Sequence, residues 1–154
     1  MELFDIMQTA EELNGMDMKD VIHMLNKESG LLGVSGVSSD FRDITKAIEE
    51  GNEVAKNALE VFANTVVRFV GAYVAEMNGV DAIAFTAGVG ENNQAVRKMV
   101  CEQLGYLGVS LDEKANEKRR EEIMISTPDS KVKVFVIPTN EELAIARETL
   151  EFLS

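Results

Sequence analysis

Cysteine, histidine and tryptophan are scarce in this sequence, and their scarcity excludes several kinds of protein. The chain has one cysteine, Cys101, so no disulfide can form within it, and a reducing, cytoplasmic setting is predicted. It has one histidine, His23, and no tryptophan. Because the cysteine and the histidine lie far apart in the sequence, we predict no catalytic Cys–His pair. We interpret Cys101 as a core residue and His23 as a surface or hydrogen-bonded residue.

Basic residues are also scarce, since 15 lysines and arginines stand against 27 acidic residues, for a net charge of −12. This balance argues against a nucleic-acid or anionic-membrane partner, although it is compatible with a local cationic pocket. No basic and then apolar signal segment is expected at the N-terminus. The longest apolar segment, 54–77, is interrupted by Glu60 and Arg68, so we predict no membrane span.

Apolar residues are abundant, at 45% of 154 residues, which predicts a folded domain with a core. Apolar spacing and capping residues predict helices at about 3–13, 18–28, 41–50, 52–77, 93–104, 112–122 and 141–153. The helix at 52–77 is apolar on most sides, so it is expected to be buried on most sides. Short strands are predicted within 80–86, 106–112, 122–127 and 131–138, and a loop or short extended piece is predicted before the helix at 41–50.

The order of these elements predicts an α/β fold. Two passages, 80–104 and 132–153, each contain an apolar strand, a turn and a helix. Apolar strands of this kind are typical of a parallel sheet covered on both faces. The strands are few for such a sheet.

A glycine turn, Ala87-Gly88-Val89-Gly90, follows the strand at 80–86. Glycines let a ligand approach the backbone, and the following helix directs free N–H groups toward the same place, so a phosphate could bind there. The general motifs do not match, since no Lys-Ser/Thr follows and Asn93 stands where the dinucleotide motif has its third glycine. The spacing alone leaves open a nucleotide site or a plain tight turn.

Three strings in the sequence resemble those of acetate kinases, which belong to the superfamily of sugar kinases and actin. They are LLGVSGVSSDFRDI at 31–44, FTAGVGEN at 85–92 and VFVIPTNEELAIARET at 134–149. The resemblance covers about residues 26–150. It implies a partial actin-like ATPase (ribonuclease H-like) C-terminal domain, with few, mostly parallel strands flanked by helices. It also implies the ATP-dependent phosphorylation of acetate to acetyl phosphate, with ATP or ADP and Mg²⁺.

The resemblance assigns roles to particular residues. The adenine and ribose side is implied for Asp40, Phe41 and Arg42. The nucleoside and α-phosphate side is implied for Gly88, Val89 and Asn92, and a place near Mg²⁺ and the phosphates for Glu141. Each residue also has a purely structural interpretation: Asp40 as a helix cap, Arg42 as a surface ion-pair residue, and Glu141 as an acid favoured by the helix dipole.

The sequence also departs from the family. Acetate kinases are longer, two-domain proteins, and their acetate pocket, catalytic histidine and phosphoryl-binding arginines have no counterpart here. We therefore predict that residues 1–154 form an incomplete C-terminal nucleotide-binding domain, without the N-terminal domain and the first strands, and with no complete catalytic set. Acetate would bind only together with the missing part, and acetate and propionate kinases are not distinguished.

Two interpretations of the chain's role stay open. The chain could be the nucleotide half of an acetate kinase, inactive alone. It could instead be a non-catalytic module that binds nucleotide and forms a homodimer through the long apolar helix, with Phe62, Phe69 and Tyr73 as candidate contacts.

Overall fold

The computed structural model describes residues 8, 9, 12, 15–118 and 121–153. Its contacts form two compact units, one up to Phe62 and one from Ala63 onward. The predicted helix at about 3–13 lies outside the described residues, apart from Gln8, Thr9 and Glu12, which are helical.

The described part of the first unit is helical, and polar side chains set where three of its helices begin. Helix α1, Met18–His23, begins after Asp17, whose Oδ1 accepts a hydrogen bond from the N–H of Asp20 at 3.0 Å, and it continues as a π-helical turn. The next helices are α2 (Gly30–Ser35), α3 (Phe41–Glu49) and α4 (Glu53–Glu76). Asp40 caps α3, and Asn52 caps α4 by accepting from two backbone N–H groups. The predicted helices at 18–28, 41–50 and 52–77 are confirmed.

Helix α2 corrects the prediction of a loop before α3. The glycines and β-branched residues of this segment have low helix propensity, but Leu31 and Leu32 are half-buried and Ser35 is buried. Packing of these side chains outweighs the weak intrinsic preference. Gly36 then ends α2 in the left-handed conformation, at φ 63°.

Helix α4 is much less buried than the sequence predicted. Its buried residues are small or lie near its start, as with Ala55, Leu59 and Ala63, whereas Phe69 and Tyr73 are 61% and 57% exposed. The prediction of burial on most sides is therefore wrong, because no described element covers that apolar surface. By length and composition α4 could also cross a membrane, with a mean hydropathy of 1.3 in its most apolar stretch. Glu60 and Arg68 therefore do not lower its hydropathy enough to exclude a span on composition alone.

The second unit contains a three-stranded sheet in the order β1, β3, β2. Strand β1 is Ala82–Phe85, β2 is Ile123–Met124 and β3 is Lys133–Val136. Strands β1 and β3 are parallel, with Phe85 opposite Val136, and β2 is antiparallel to β3. The α/β class is confirmed, and the sheet is mixed.

The core of the second unit lies on one face of β3. Val132, Val134 and Val136 are buried. Val100, in the helix Gln94–Gln103, and Leu104, directly after that helix, are also buried in this unit. The expectation of a sheet covered on both faces is wrong, because Ala82 and Ala84 of the edge strand β1 are exposed. Cys101 is buried among apolar residues, and this burial raises the pKa of its thiol to about 12, as expected of a core cysteine.

The remaining helices of the second unit are α5 (Ala87–Asn92), α6 (Gln94–Gln103), α7 (Glu113–Asn116) and α8 (Glu141–Leu153). Asn93 caps α6, Asp112 caps α7, and Asn140 caps α8 by accepting from the N–H of Leu143. Helix α7 is shorter than the predicted 112–122. The carbonyls of Asn116, the last residue of α7, and of Lys118 accept hydrogen bonds from the buried Arg97. The backbone is therefore bonded to this side chain where the predicted helix would have continued.

Candidate functional site

A cleft of about 440 Å³ opens where the parallel strands β1 and β3 end. Helix α5 follows β1 after one residue, and α8 follows β3 after a four-residue connection. Neighbouring parallel strands end at the same edge of a sheet, which is where open α/β sheets bind ligands. The cleft is lined by Ala87, Gly88, Glu91, Thr139, Asn140, Glu141 and Glu142.

The glycine turn is the first turn of α5 rather than an irregular turn, which corrects the sequence prediction. Its two glycines have different surroundings. A methyl group at Gly88 would meet nothing within 4 Å, whereas one at Gly90 would lie 3.3 Å from the carbonyl carbon of Phe85. Gly88 therefore leaves the cleft wall open, and Gly90 lets α5 pack closely against the end of β1.

Ala87 begins α5 in a strained conformation. Its φ is 59°, in the left-handed region that L-residues other than glycine, asparagine and aspartate seldom adopt. Backbone strain of this kind is often found at functional sites. Its position on the wall of the cleft fits that association.

Val89 and Asn92 are the other residues of this helix that the sequence assigned to the site. Asn92 donates from Nδ2 to the carbonyl of Gly88 at 2.8 Å, so its amide braces the glycine backbone. Val89 is half-buried. Neither residue is among those that line the cleft, while Gly88 is.

Glu91 and Thr139 join the two walls of the cleft, and sequence reasoning did not select either as a site residue. Glu91 is 9% exposed, and its Oε1 accepts from the backbone N–H and the hydroxyl of Thr139, at 2.8 and 2.7 Å. Both residues lie inside strings that carried the family resemblance. An acid directly after a glycine turn was the signal available in the sequence, but its partner is 48 residues away along the chain.

Arg97 fixes the C-terminal end of α5. Its guanidinium is fully buried, and Nη1 donates to the carbonyls of Gly90 and Glu91, each at 2.9 Å. Nε and Nη2 donate to the side-chain and backbone oxygens of Asn116. A cation at the C-terminal end of a helix also matches the helix dipole. The backbone that carries Gly88 and Glu91 is thus fixed to the core.

The described residues that line the cleft give it an acidic character. Glu141 and Glu142 are exposed acids in the first turn of α8, and Glu91 adds a third carboxylate to the lining. Among the described residues that line the cleft there is no lysine, arginine or histidine. In the part of the chain that the structure describes, no group of three His, Cys, Asp or Glu residues is arranged to hold a metal ion alone. The oxygen donors suit a hard cation that keeps water or takes further ligands from a phosphate.

Asp40, Phe41 and Arg42 lie in the first unit, at the start of α3. Asp40 accepts from the N–H of Arg42 at 2.8 Å and also pairs with its guanidinium. The Arg42 guanidinium, followed by its backbone N–H, lowers the pKa of Asp40 to about 2. Phe41 packs edge-on against Phe62, with the ring centres 4.8 Å apart. Asp40 is thus the predicted cap, and Arg42 is a largely exposed ion-pair residue.

The Ser38 hydroxyl strengthens this start of α3. It accepts from the N–H of Asp40 and donates to Asp43, at 3.0 and 2.8 Å. Ser38 thereby links the cap residue Asp40 to Asp43 in the first turn of α3. His23 is exposed and lies 3.5 Å from Glu28, so it is a surface histidine, as expected.

The structure brings Gly88 and Glu141 together in one cleft, although they come from distant parts of the sequence. The three residues at the start of α3 form a separate cluster within the first unit.

Most of this chain is similar in sequence and structure to known proteins. A sequence profile described as the Acetokinase family matches residues 4–147. The acetate kinase of Lachnoclostridium phytofermentans is 55% identical over 148 residues, which are 96% of this chain and 38% of that protein. The crystal structure of Porphyromonas gingivalis acetate kinase matches with a TM-score of 0.88 and 44% identity, over 97% of this chain and 38% of that one.

A propionate kinase is similar as well. The crystal structure from Francisella tularensis subsp. tularensis SCHU S4 matches with a TM-score of 0.85 and 36% identity, over 96% of this chain and 37% of that one. The chain therefore spans 38% or less of the length of these three relatives. The family profile covers nearly the whole sequence, which confirms the resemblance carried by the three strings. The chain belongs to the acetokinase family.

Proposed function

We propose that this chain supplies the nucleotide side of an ATP-dependent acetate kinase. One observation carries the proposal: two of the family strings, far apart in the sequence, line the same cleft at the ends of β1 and β3. Gly88 leaves room for a ligand to approach the backbone of α5. The phosphate side of ATP or ADP would lie in this cleft, and Asp40, Phe41 and Arg42 would contact the adenosine.

The acidic lining makes a divalent cation part of the proposal. A bare polyphosphate would be repelled by Glu141 and Glu142, whereas Mg²⁺ between the phosphates and these carboxylates would reverse the sign of the interaction. Glu141 and its neighbour Glu142 are the exposed oxygen donors that would hold the cation, in part through water. When bound, Mg²⁺ would neutralise negative charge on the phosphates.

The complete reaction would transfer the γ-phosphoryl group of ATP to a carboxylate oxygen of acetate. The bond from the γ-phosphorus to the bridging oxygen breaks, a bond to the carboxylate oxygen forms, and ADP leaves. This chain would bind and orient the nucleotide, and the acyl site would come from the rest of an acetokinase, which this sequence does not represent. We therefore expect the chain alone to be inactive, and we expect its acyl specificity, for acetate or propionate, to be set elsewhere.

Calorimetry tests the nucleotide side. ADP should bind the wild-type chain with Mg²⁺ and more weakly with EDTA, and Arg42→Ala and Glu141→Gln should weaken binding. Glu148→Gln, which removes an exposed charge further along α8, is the matched control and should leave binding unchanged. A folded wild-type chain that binds no ADP would refute the proposal.

A coupled assay of acetyl phosphate formation tests the catalytic side. We expect no turnover by the chain alone and turnover after adding a polypeptide that supplies the remaining part of an acetokinase. Turnover by the chain alone would show that its proposed dependence on that part is wrong.

The second candidate function is a homodimerising module, and the exposed apolar surface of α4 favours it. Phe69 and Tyr73 of α4, and Met77 directly after it, are all more than half exposed. A second copy of the chain could cover this surface in a symmetric interface. In sedimentation experiments Phe69→Glu should dissociate the dimer, while Asn57→Glu, on an exposed polar position of α4, should not. A monomeric wild-type chain would exclude this function.

A further inference from the structure

The connection from β3 attaches the N-terminal end of α8 to the second unit. Residues 141–152 of α8 all have exposed side chains. A helix without buried side chains gains little from packing, so its position depends on its attachments. At its N-terminal end the ladder of β1 and β3 extends to Ile137, whose N–H donates to the carbonyl of Phe85 at 2.9 Å. Two residues later comes the attachment of Thr139 to Glu91.

The position of Glu91 is fixed by burial and by hydrogen bonds to its backbone. Its carboxylate is nearly buried, and its backbone carbonyl and that of Gly90 accept from the fully buried Arg97. Arg97 is in turn bonded to Asn116 across the core. A carboxylate on such a rigid support defines the position of the group that it binds.

Thr139 binds this carboxylate, and it stands directly before the cap of α8. Both the N–H and the hydroxyl of Thr139 donate to the same oxygen of Glu91. Asn140 then caps the helix, and Glu141 is its first residue. The path from the buried carboxylate to the exposed acid of the cleft is therefore two residues long.

We propose that Glu91 is a positioning residue of the cleft: through Thr139 it sets where Glu141 stands and thereby determines how much Mg²⁺ adds to nucleotide affinity. The inference rests on the proposed function. It assigns Glu91 no contact with the nucleotide or the cation. Residues that orient a metal-binding side chain typically change affinity about 10–100-fold when they are lost.

The test compares ADP affinity in Mg²⁺ with ADP affinity in EDTA, by calorimetry on the full chain. Glu91→Ala and Thr139→Val should weaken binding about tenfold or more in Mg²⁺ and much less in EDTA. Thr139→Ser keeps the hydroxyl, so its ratio of ADP affinity in Mg²⁺ to ADP affinity in EDTA should equal that of the wild type. Thr149→Val is the matched control, because the Thr149 hydroxyl bonds only within α8, to the carbonyl of Ile145 at 2.7 Å.

A double-mutant cycle shows whether Glu91 acts through Glu141. In the Glu141→Gln background, Glu91→Ala should cost little further affinity in Mg²⁺, because the group that it positions has already changed. Hydrogen exchange on the ligand-free chain gives a readout that needs no nucleotide. The amide of Thr139 should be protected in the wild type and should exchange faster in Glu91→Ala, while the amides of β3 remain protected.

The outcomes separate this inference from the function on which it rests. If the folded wild type binds no ADP, the proposed function and this inference both fail. If the wild type binds ADP but Thr139→Val and Glu91→Ala lose affinity equally in Mg²⁺ and EDTA, or if their effects add fully to that of Glu141→Gln, this inference alone is overturned. If Glu91→Ala does not fold, the comparison of Thr139→Val with Thr139→Ser tests this inference.

Discussion

The two glycines of α5 should respond in opposite directions to the same substitution. Neither has a φ in the left-handed region, so an alanine strains the backbone at neither position. In a helix, alanine is favoured over glycine by about 0.5–1 kcal/mol. At Gly88 nothing opposes this gain, because the added methyl group meets open space. We expect Gly88→Ala to stabilise the chain by about 0.5–1 kcal/mol.

At Gly90 the methyl group would lie 3.3 and 3.4 Å from the carbonyl carbon and Cβ of Phe85. These atoms belong to the end of β1 and cannot move without disturbing its pairing with β3. Overpacking at such a site costs about 1–3 kcal/mol. This exceeds the gain in helix propensity, so Gly90→Ala should destabilise the chain.

Thermal unfolding gives the comparison directly, since about 1 kcal/mol corresponds to about 2–4 °C in Tm for a chain of this size. We expect the Tm to rise for Gly88→Ala and to fall for Gly90→Ala. The methyl group at Gly88 should also weaken ADP binding, by about tenfold if it displaces one hydrogen bond between the backbone and a phosphate. A fall in Tm for Gly88→Ala, or a rise for Gly90→Ala, would refute the roles assigned to the two glycines.

Two further predictions concern charged residues. Arg97→Met should lower the free energy of unfolding, measured with urea, by about 3 kcal/mol or more, because buried acceptors at Gly90, Glu91 and Asn116 lose a charged donor. Arg147→Met, at an exposed position of α8, is the control and should change the free energy of unfolding little. Equal effects of the two substitutions would contradict the role of Arg97. Asp40 should titrate by NMR with a pKa of about 2, and Arg42→Ala should raise that value while the backbone N–H still keeps it below 3.8. Because the folded-state pKa is depressed, the stabilisation from Asp40 is present above pH 3.8 and is lost as the pH falls to about 2; an unshifted pKa in the wild type would contradict the ion pair.

Most of the secondary structure follows from local features of the sequence. The caps at Asp17, Asp40, Asn52 and Asn93 mark helix starts that the structure confirms. These signals are local, because the side chain bonds to a backbone group only two or three residues away. The predictions that fail depend instead on distant contacts. The helix predicted at 112–122 stops at Asn116, where Arg97, 19 residues back, binds its oxygen atoms.

The exposure of α4 is a second case in which local sequence did not predict a feature that depends on distant contacts. The apolar pattern predicted a buried helix, yet Phe69 and Tyr73 are exposed. A hydrophobic pattern indicates that a surface is suited to contact with another apolar surface. It does not say whether that other surface belongs to the same chain.

The sequence by itself determined the family, the α/β class and most of the helix starts, because these features depend on residue type and on short-range geometry. Its resemblance to acetate kinases selected Gly88 and Glu141 as candidate ligand contacts. Only the tertiary structure decided that Gly88 and Glu141 share one cleft, that Gly90 serves packing, and that Glu91 joins Thr139 across 48 residues. The reason is the parallel pairing of β1 with β3, which places the ends of two distant segments at the same edge of the sheet.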